Sequence, residues 1–347
     1  AIASILPVWF LLQPRDYINS HQLIVGLALI IIGIIITQPV IDAPMVRLEL
    51  DASAPPIFPF LFITIACGAI SGFHGLVSSG TTSKQVNNFE DARLIGYGSM
   101  LGEGTLALIS TLCAVSGIAL VSQCTLPVNG LVENLSWAVY YDSWAHASGN
   151  KATAFVLGGG AFLMQLGIPG NIAQTLIAVL VISFAATTLD SATRIQRFII
   201  SEIGLATKIE ILKNKYIAVF IAIIPAYMLT SLNLSTSTGV DKKIAWILWP
   251  IFGASNQMLA ALILFILTIY FWNQNNRLPI PLFIPMIFIF VITGYSLLFN
   301  FFKFIEKNNF LLAFIALFLI VIILLITFEG LYIIKDKILM YKKRESK

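Results

Sequence analysis

Long apolar blocks separated by short polar punctuation run through almost the whole chain, and the block lengths predict the elements. Residues 21–37 are nearly pure Ile, Leu and Gly. Further blocks follow at 57–79, 94–122, 171–194, 216–232, 244–272, 280–302 and 310–334. Each approaches or exceeds the roughly 20 residues that a helix needs to cross a hydrocarbon core of about 30 Å. The pattern predicts an all-α, polytopic membrane helix bundle with eight complete spans in a single transmembrane domain over 1–347. The opening run 1–12 is too short to cross and reads as a stub. Pro14-Arg15-Asp16 marks a water interface behind it, and further helices are expected ahead of it in the natural protein.

The polar segments set the orientation. The 38–56 loop holds three acids, one Arg and four prolines, and belongs outside. The 194–215 loop carries three Lys and two Arg against two acids, and belongs inside under the positive-inside rule. The tail 335–347, with six basic residues against two acids, is inside as well. Only one crossing then fits between 123 and 194. Residues 171–194 supply it, so 152–168, interrupted by Gly158-Gly159-Gly160 and ended by Pro169-Gly170, is a re-entrant or surface element of the 123–168 outer loop. Trp137, Tyr140, Tyr141 and Trp144 in that loop have the character of an interface belt.

Composition narrows the class further. The chain is 58% hydrophobic and 11% charged, against about 25% charged in soluble domains. The net charge of +4 is small and mostly terminal, which suits lipid headgroups rather than nucleic acid. Cys67, Cys113 and Cys124 are odd in number and lack CxxC spacing, so neither a disulfide framework nor a zinc site is indicated. No signal peptide, soluble domain or internal repeat stands out, and no motif points to an oligomeric state.

The strongest chemical signal is an acid inside an apolar block. In VLVISFAATTLDSATRIQR, Ser183, Thr187, Asp190, Ser191 and Arg194 share one helical face. A charge at the bilayer centre costs about 2.5–3.5 kcal/mol on insertion scales, so this stripe should face the bundle interior or water. Thr187, Thr188 and Ser191 offer hard oxygens beside Asp190, suited to Na⁺ or to a protonatable carboxyl. Arg194 could instead neutralise Asp190 as an i+4 pair. Glu103, ten residues into its block, is either a proton site or a paired structural charge. In FPFLFITIACGAISGFHGLVSSG, the residues Gly68, Ser71, Gly72, His74 and Ser78 form a glycine- and hydroxyl-rich candidate substrate face where the helix can unwind. The same glycines also suit plain packing, and His74 suits a structural hydrogen bond. The glycines at 96, 98, 102 and 104 predict close packing of the third block. Pro250 predicts a kink next to Asn256 and Gln257.

Four long stretches, FPFLFITIACGAISGFHGLVSSGTTSK, ARLIGYGSMLGEG, SFAATTLDSATRIQRFIISE and LWPIFGASNQMLAALIL, resemble the carbon starvation protein A family, and ILPVWFLLQPRDYINS resembles the segment preceding them there. The resemblance implies an inner-membrane transporter with a LeuT-like inverted-repeat fold. It implies uptake of peptides or of a small carboxylate such as pyruvate under carbon starvation. Residues 57–79 would be the broken first helix of the second repeat, 171–194 its third helix, and 123–168 an extracellular helical lid. Only part of that fold is represented, because family members carry additional helices, including the other broken one.

The leading functional expectation is secondary transport coupled to H⁺ or Na⁺. Its partners are a small-molecule or peptide substrate and the lipid bilayer, with no cofactor, metal or nucleic acid. An intramembrane hydrolase and a passive channel are the alternatives. The first lacks HExxH, and the second would need polar faces on more helices than the two found.

Overall fold

The computed structural model describes residues 2–47, 56–126, 130–144, 147, 151–235, 241–275, 277–306 and 308–345. The order is α1 (Ile2–Ile5), α2 (Val8–Thr37), α3 (Ile57–Ala69), α4 (Gly72–Gly80), α5 (Phe89–Leu112), β1 (Gln123–Leu126), β2 (Gly130–Glu133), α6 (Trp137–Tyr140), α7 (Lys151–Met164), α8 (Gly170–Thr207), α9 (Glu210–Lys213), α10 (Lys215–Ser231), β3 (Asn233–Ser235), β4 (Asp241–Lys243), α11 (Ile244–Asn275), α12 (Ile280–Glu306) and α13 (Phe310–Glu345). The strands form two short antiparallel hairpins, and the other regular elements among the described residues are helical.

Among the described residues, seven segments are long and apolar enough to cross a membrane: 8–37, 57–84, 89–120, 170–207, 251–274, 280–306 and 310–330. The eighth expected span, α10, has 17 residues, about 25 Å of rise against a core of about 30 Å. The stub expectation also changes. Pro14 lies inside α2, which runs unbroken from Val8, so Pro14-Arg15-Asp16 belongs to the first long helix and does not precede it. α8 likewise continues past Arg194 to Thr207, ending on Lys208 in the left-handed conformation (φ 61°). Arg194 and Arg197 are therefore buried on a helix instead of opening a loop. Glu49 and Asp51 of the outer loop, and the side chains of Pro250 and of the basic tail, lie outside the described residues.

The chain divides into two compact units, residues 1–54 with 85–220 and residues 55–84 with 221–347. In the first unit the core is organised by α7. On one side Phe162 and Leu163 pack with Leu27, Ile30, Ile109, Cys113, Ala173 and Ile177. Toward the other side Ala154, Leu157 and Ala161 pack with Ile118, Val121, Leu135 and Tyr140. α7 is thus a buried helix and not a surface element. Its backbone is covered by protein, as a helix too short to span must be. Tyr140, expected in an interface belt, is fully buried in this cluster, and burial pushes its phenol pKa up, so it stays a protonated donor.

Gly158-Gly159-Gly160 does not interrupt α7. A Cβ on Gly158 would land on the Cys113 carbonyl, and one on Gly117 would lie 2.8 Å from Gly158 Cα. Cys113–Gly117 is a π-helical turn ending α5, and its wide backbone nests against the bare stretch of α7. Close packing therefore falls here and not on α5. There Gly96, Gly98, Gly102 and Gly104 meet no described neighbour within 4 Å. Outside the helices, the segment after α2 straps this layer. The Asp42 N–H donates to the Val115 carbonyl (2.9 Å), and the Asp42 carboxylate accepts from the Trp137 N–H (2.6 Å). Arg47 donates to the Tyr141 and Asp142 carbonyls beneath the Trp137 ring.

The second unit packs α11 against α12 and α13 through Ala254, Leu297 and Ile323, and through Ile251, Phe304, Leu312, Ala313 and Ala316. α3 lays Phe58, Phe60 and Phe62 on Tyr295, Phe299 and Phe288 of α12.

Gly158→Val should overpack the α7 nest and cost about 1–3 kcal/mol. Heating in detergent, read by size-exclusion chromatography of the surviving folded fraction, should show a lowered melting point. Gly102→Ala, which meets open space in a helix interior, should not lower it.

Candidate functional site

Two polar clusters are built into the apolar helices, one in each unit. The first lies where α2 meets α8. Arg15 Nη1 forms an ion pair with Asp190 Oδ2, and Arg15 Nη2 is 3.4 Å from Asp16 Oδ1. The Arg15 and Asp190 side chains are 23% and 22% exposed, and Asp16 is 48% exposed. One turn along α2, Asn19 Nδ2 donates to the Ser183 carbonyl at 3.4 Å. The stripe of α8 is the covered half of that helix. Ser183, Thr187, Asp190 and Ser191 are half-buried and Arg194 is buried, while Ile182, Ala185, Ala186 and Leu189 are exposed.

Arg194 does not take the i+4 role. Its Nη2 donates to the Ala3 and Leu6 carbonyls at 2.8 and 2.9 Å, tying α8 to the chain ahead of Pro7. Those carbonyls sit where α1 ends and Pro7 cannot donate an N–H, so a guanidinium is the donor that satisfies them. Asp190 is paired from another helix instead. Sequence reasoning missed Arg15 because it stopped at Pro14. Read across that proline, Leu12, Arg15 and Asn19 fall at i, i+3 and i+7 on one face, and both Leu12 and Asn19 are buried.

The hydroxyls beside Asp190 are spent differently. Thr187 Oγ1 donates to the Phe184 carbonyl at 2.8 Å, which leaves its lone pairs available to a cation. Thr188 is exposed, off the covered stripe, and Ser191 is half-buried. Glu103 is exposed on α5 and takes no part in the hydrogen bonding of Asp190, which is with Arg15.

The second cluster surrounds a broken helix. α3 ends at Ala69 and α4 begins at Gly72, with Ile70 (φ −138°, ψ 78°) and Ser71 (φ −88°, ψ 134°) extended between them. A break in an apolar segment strands backbone donors and acceptors, which must find partners inside the protein. Ser71 occupies the N-cap position of α4 without making the cap bond. Asn256 of α11 makes it from outside. Its Oδ1 accepts from the Phe73 N–H at 3.0 Å, the bond that a cap side chain ordinarily supplies. Its Nδ2 donates to Ser71 Oγ at 3.0 Å and to Cys67 Sγ at 3.1 Å. Gln257, in the amide orientation that satisfies both ends, donates to the Ile70 carbonyl (3.2 Å) and accepts from the Cys67 N–H (2.8 Å). Asn256 and Gln257 are 7% and 1% exposed.

The five substrate-face residues divide around this clamp. A Cβ on Gly72 would collide with the Asn256 carbonyl and lie 2.6 Å from Leu259 Cβ, so Gly72 seats α4 on α11. Ser71 belongs to the clamp. Gly68 has open space, and His74 and Ser78 are exposed. Gly68, His74 and Ser78 are thus the members on the exposed side, with the Ser78 hydroxyl donating to the Gly75 carbonyl (2.9 Å). Among the described residues no group of three His, Cys, Asp or Glu side chains could hold a metal.

Asn256→Ala would strand the Phe73 N–H and the Ile70–Ser71 turn. The loss of stability should be about 1–3 kcal/mol, as for a buried donor left unpaired. Ser71→Ala, which removes one of several bonds, should cost less. Melting of the two variants in detergent checks the order.

Comparison with known proteins places these clusters in a lineage. The sequence pattern of the family described as Carbon starvation protein CstA matches residues 1–296. A "Peptide transporter CstA" of Helicobacter pylori (strain J99) is 30% identical over 331 residues, covering 85% of this chain and 48% of the relative. The "Pyruvate/proton symporter BtsT" of Escherichia coli K12 is 31% identical over 352 residues, covering 85% and 49%. A "Peptide transporter CstA" of Mycobacterium tuberculosis H37Rv is 33% identical over 307 residues, covering 77% and 40%. The chain thus spans about half the length, or less, of these curated relatives, and their names are those of transporters and not of enzymes. No solved structure matches it. The chain belongs to the carbon starvation protein CstA family, as a multi-pass protein of the bacterial inner membrane.

Proposed function

We propose that this chain works as part of a secondary transporter that takes up peptides or a small carboxylate such as pyruvate, driven by H⁺ or Na⁺. The observation that carries the proposal is Asp190. This carboxylate lies within an apolar helix, about one-fifth exposed, and its partner Arg15 comes from a different helix. Acids in such positions mark ion pathways and proton relays. Thr187 and Ser191 on the same face, with Thr188 beside them, are the hydroxyls that would complete a cation site. Glu103 is a second acid available for coupling.

The substrate is assigned to the broken helix, where Gly68, Ser71, Gly72, His74 and Ser78 surround the interruption. The Ile70–Ser71 break, held by Asn256 and Gln257, supports this reading. Interrupted helices expose backbone groups to substrates in many transporters. The LeuT-like inverted repeat is part of the same proposal, with α3–α4 as the broken first helix of the second repeat, α8 as its third helix and α7 in the lid. The substrate classes come from the relatives' names, peptide transporter and pyruvate/proton symporter.

The test is uptake of radiolabelled pyruvate and radiolabelled dialanine into proteoliposomes holding the full-length protein, with and without proton and sodium gradients. Asp190→Asn should reduce gradient-driven accumulation at least about tenfold while the protein still inserts, since Asp16 remains as a partner for Arg15. Normal accumulation by this variant would reduce Asp190 to a structural partner. Gradient-independent leak would indicate a channel, and cleavage of dialanine without accumulation a hydrolase.

A further inference from the structure

Asp190 has one partner, and that partner has a second acid within reach. Arg15 spans the two with one guanidinium, Nη1 on Asp190 and Nη2 3.4 Å from Asp16. Its Nε is buried and takes no hydrogen bond among the described residues, so the fork is not saturated where it sits. The three side chains carry two negative charges and one positive, and Arg194, one turn further along α8, adds a second positive charge beside Asp190.

The remaining charges near Asp190 are few. Arg194 spends its hydrogen bonds on the neutral Ala3 and Leu6 carbonyls and keeps its positive charge, with Arg197 beyond it. α1, packed against α8, has no ionisable side chain, and the described side chains of α7 have none. Glu210 and Lys213 of α9 pair with each other, and α8 itself ends 17 residues beyond Asp190, about 25 Å along its axis.

From this geometry we infer that Arg15 is a tethered competitor for the coupling cation, exchanging between Asp190 and Asp16. When Arg15 holds Asp190, the carboxylate is neutralised without an ion. When H⁺ or Na⁺ occupies Asp190, the guanidinium swings to Asp16, its neighbour in sequence, and is not left uncompensated in an apolar wall. Asp16, the more exposed acid, can hold Arg15 at lower desolvation cost. The exchange makes cation binding and the α2–α8 ion pair mutually exclusive, so binding weakens one bond between those helices. The inference rests on Asp190 being the cation site.

Two variants with opposite expected signs test it, in the proteoliposome assay with radiolabelled pyruvate and dialanine. One arm varies pH in sodium-free choline buffer and the other varies Na⁺ at fixed pH. Arg15→Gln removes the competitor and should lower the cation concentration for half-maximal uptake about tenfold, within the usual span of coupling between two sites. Asp16→Asn removes the alternative seat, leaves Arg15 on Asp190 and should raise that concentration by a similar factor. Equal half-activation in both variants, or shifts in the same direction, would overturn the exchange. Should Arg15→Gln fail to insert, Asp16→Asn decides alone, with an unshifted concentration counting against it. Accumulation by Asp190→Asn equal to the unaltered protein, or uptake of neither probe by the unaltered protein, would instead remove the cation-site reading beneath it.

Discussion

A polar group inside hydrocarbon has no water to fall back on, so it must be satisfied by the protein or not be there. That constraint decides the arrangement of both polar clusters. Asp190 is tolerable in α8 because α2 brings Arg15 to it, and α2 can do so because its helix continues through Pro14. The Ile70–Ser71 interruption is tolerable because α11 brings Asn256 and Gln257 to the stranded backbone. In each case the polar group on one helix fixes which face of a second helix it packs against.

The two clusters differ in how completely they are satisfied. Around the break nearly every donor and acceptor is answered by buried amides, giving a rigid frame with Gly68, His74 and Ser78 on its exposed side. Around Asp190 the bonding is sparse. One guanidinium serves two acids, and Asp190 Oδ1 takes no hydrogen bond among the described residues. Sparse pairing at a partly wet carboxylate suits a group that must change partners, whereas dense pairing suits a group that must hold a shape.

Much of the architecture was legible in the sequence because span length and apolar periodicity are set by the bilayer itself. Placement of the α8 stripe followed from 3.6-residue spacing. The details that were not legible turn on tertiary partners. Nothing local says that Gly158-Gly159-Gly160 continues a helix, since only the Cys113–Gly117 backbone lying against it explains the missing side chains. Asn256 and Gln257 were visible as amides in an apolar block, but their target is some 185 residues away in the chain. Arg15 was hidden by a sound local rule, that proline ends helices, which a membrane helix can break. The pairing of Asp190 with Arg194 was equally sound by spacing. It lost to backbone carbonyls that only the fold places beside that arginine.

The glycine nest has a mechanical corollary. Where two backbones lie in direct contact, sliding α7 so that Leu157 replaced Gly158 would bring a Cβ against the Cys113 carbonyl, so slippage in that direction is blocked. Gly33 against Phe162 and Gly160 against Gln174 lock two further surfaces of the same short helix. Any displacement of this short helix would therefore carry the π turn, the adjoining part of α2 and the start of α8 with it. Motion there would be that of a block and not of a hinged flap.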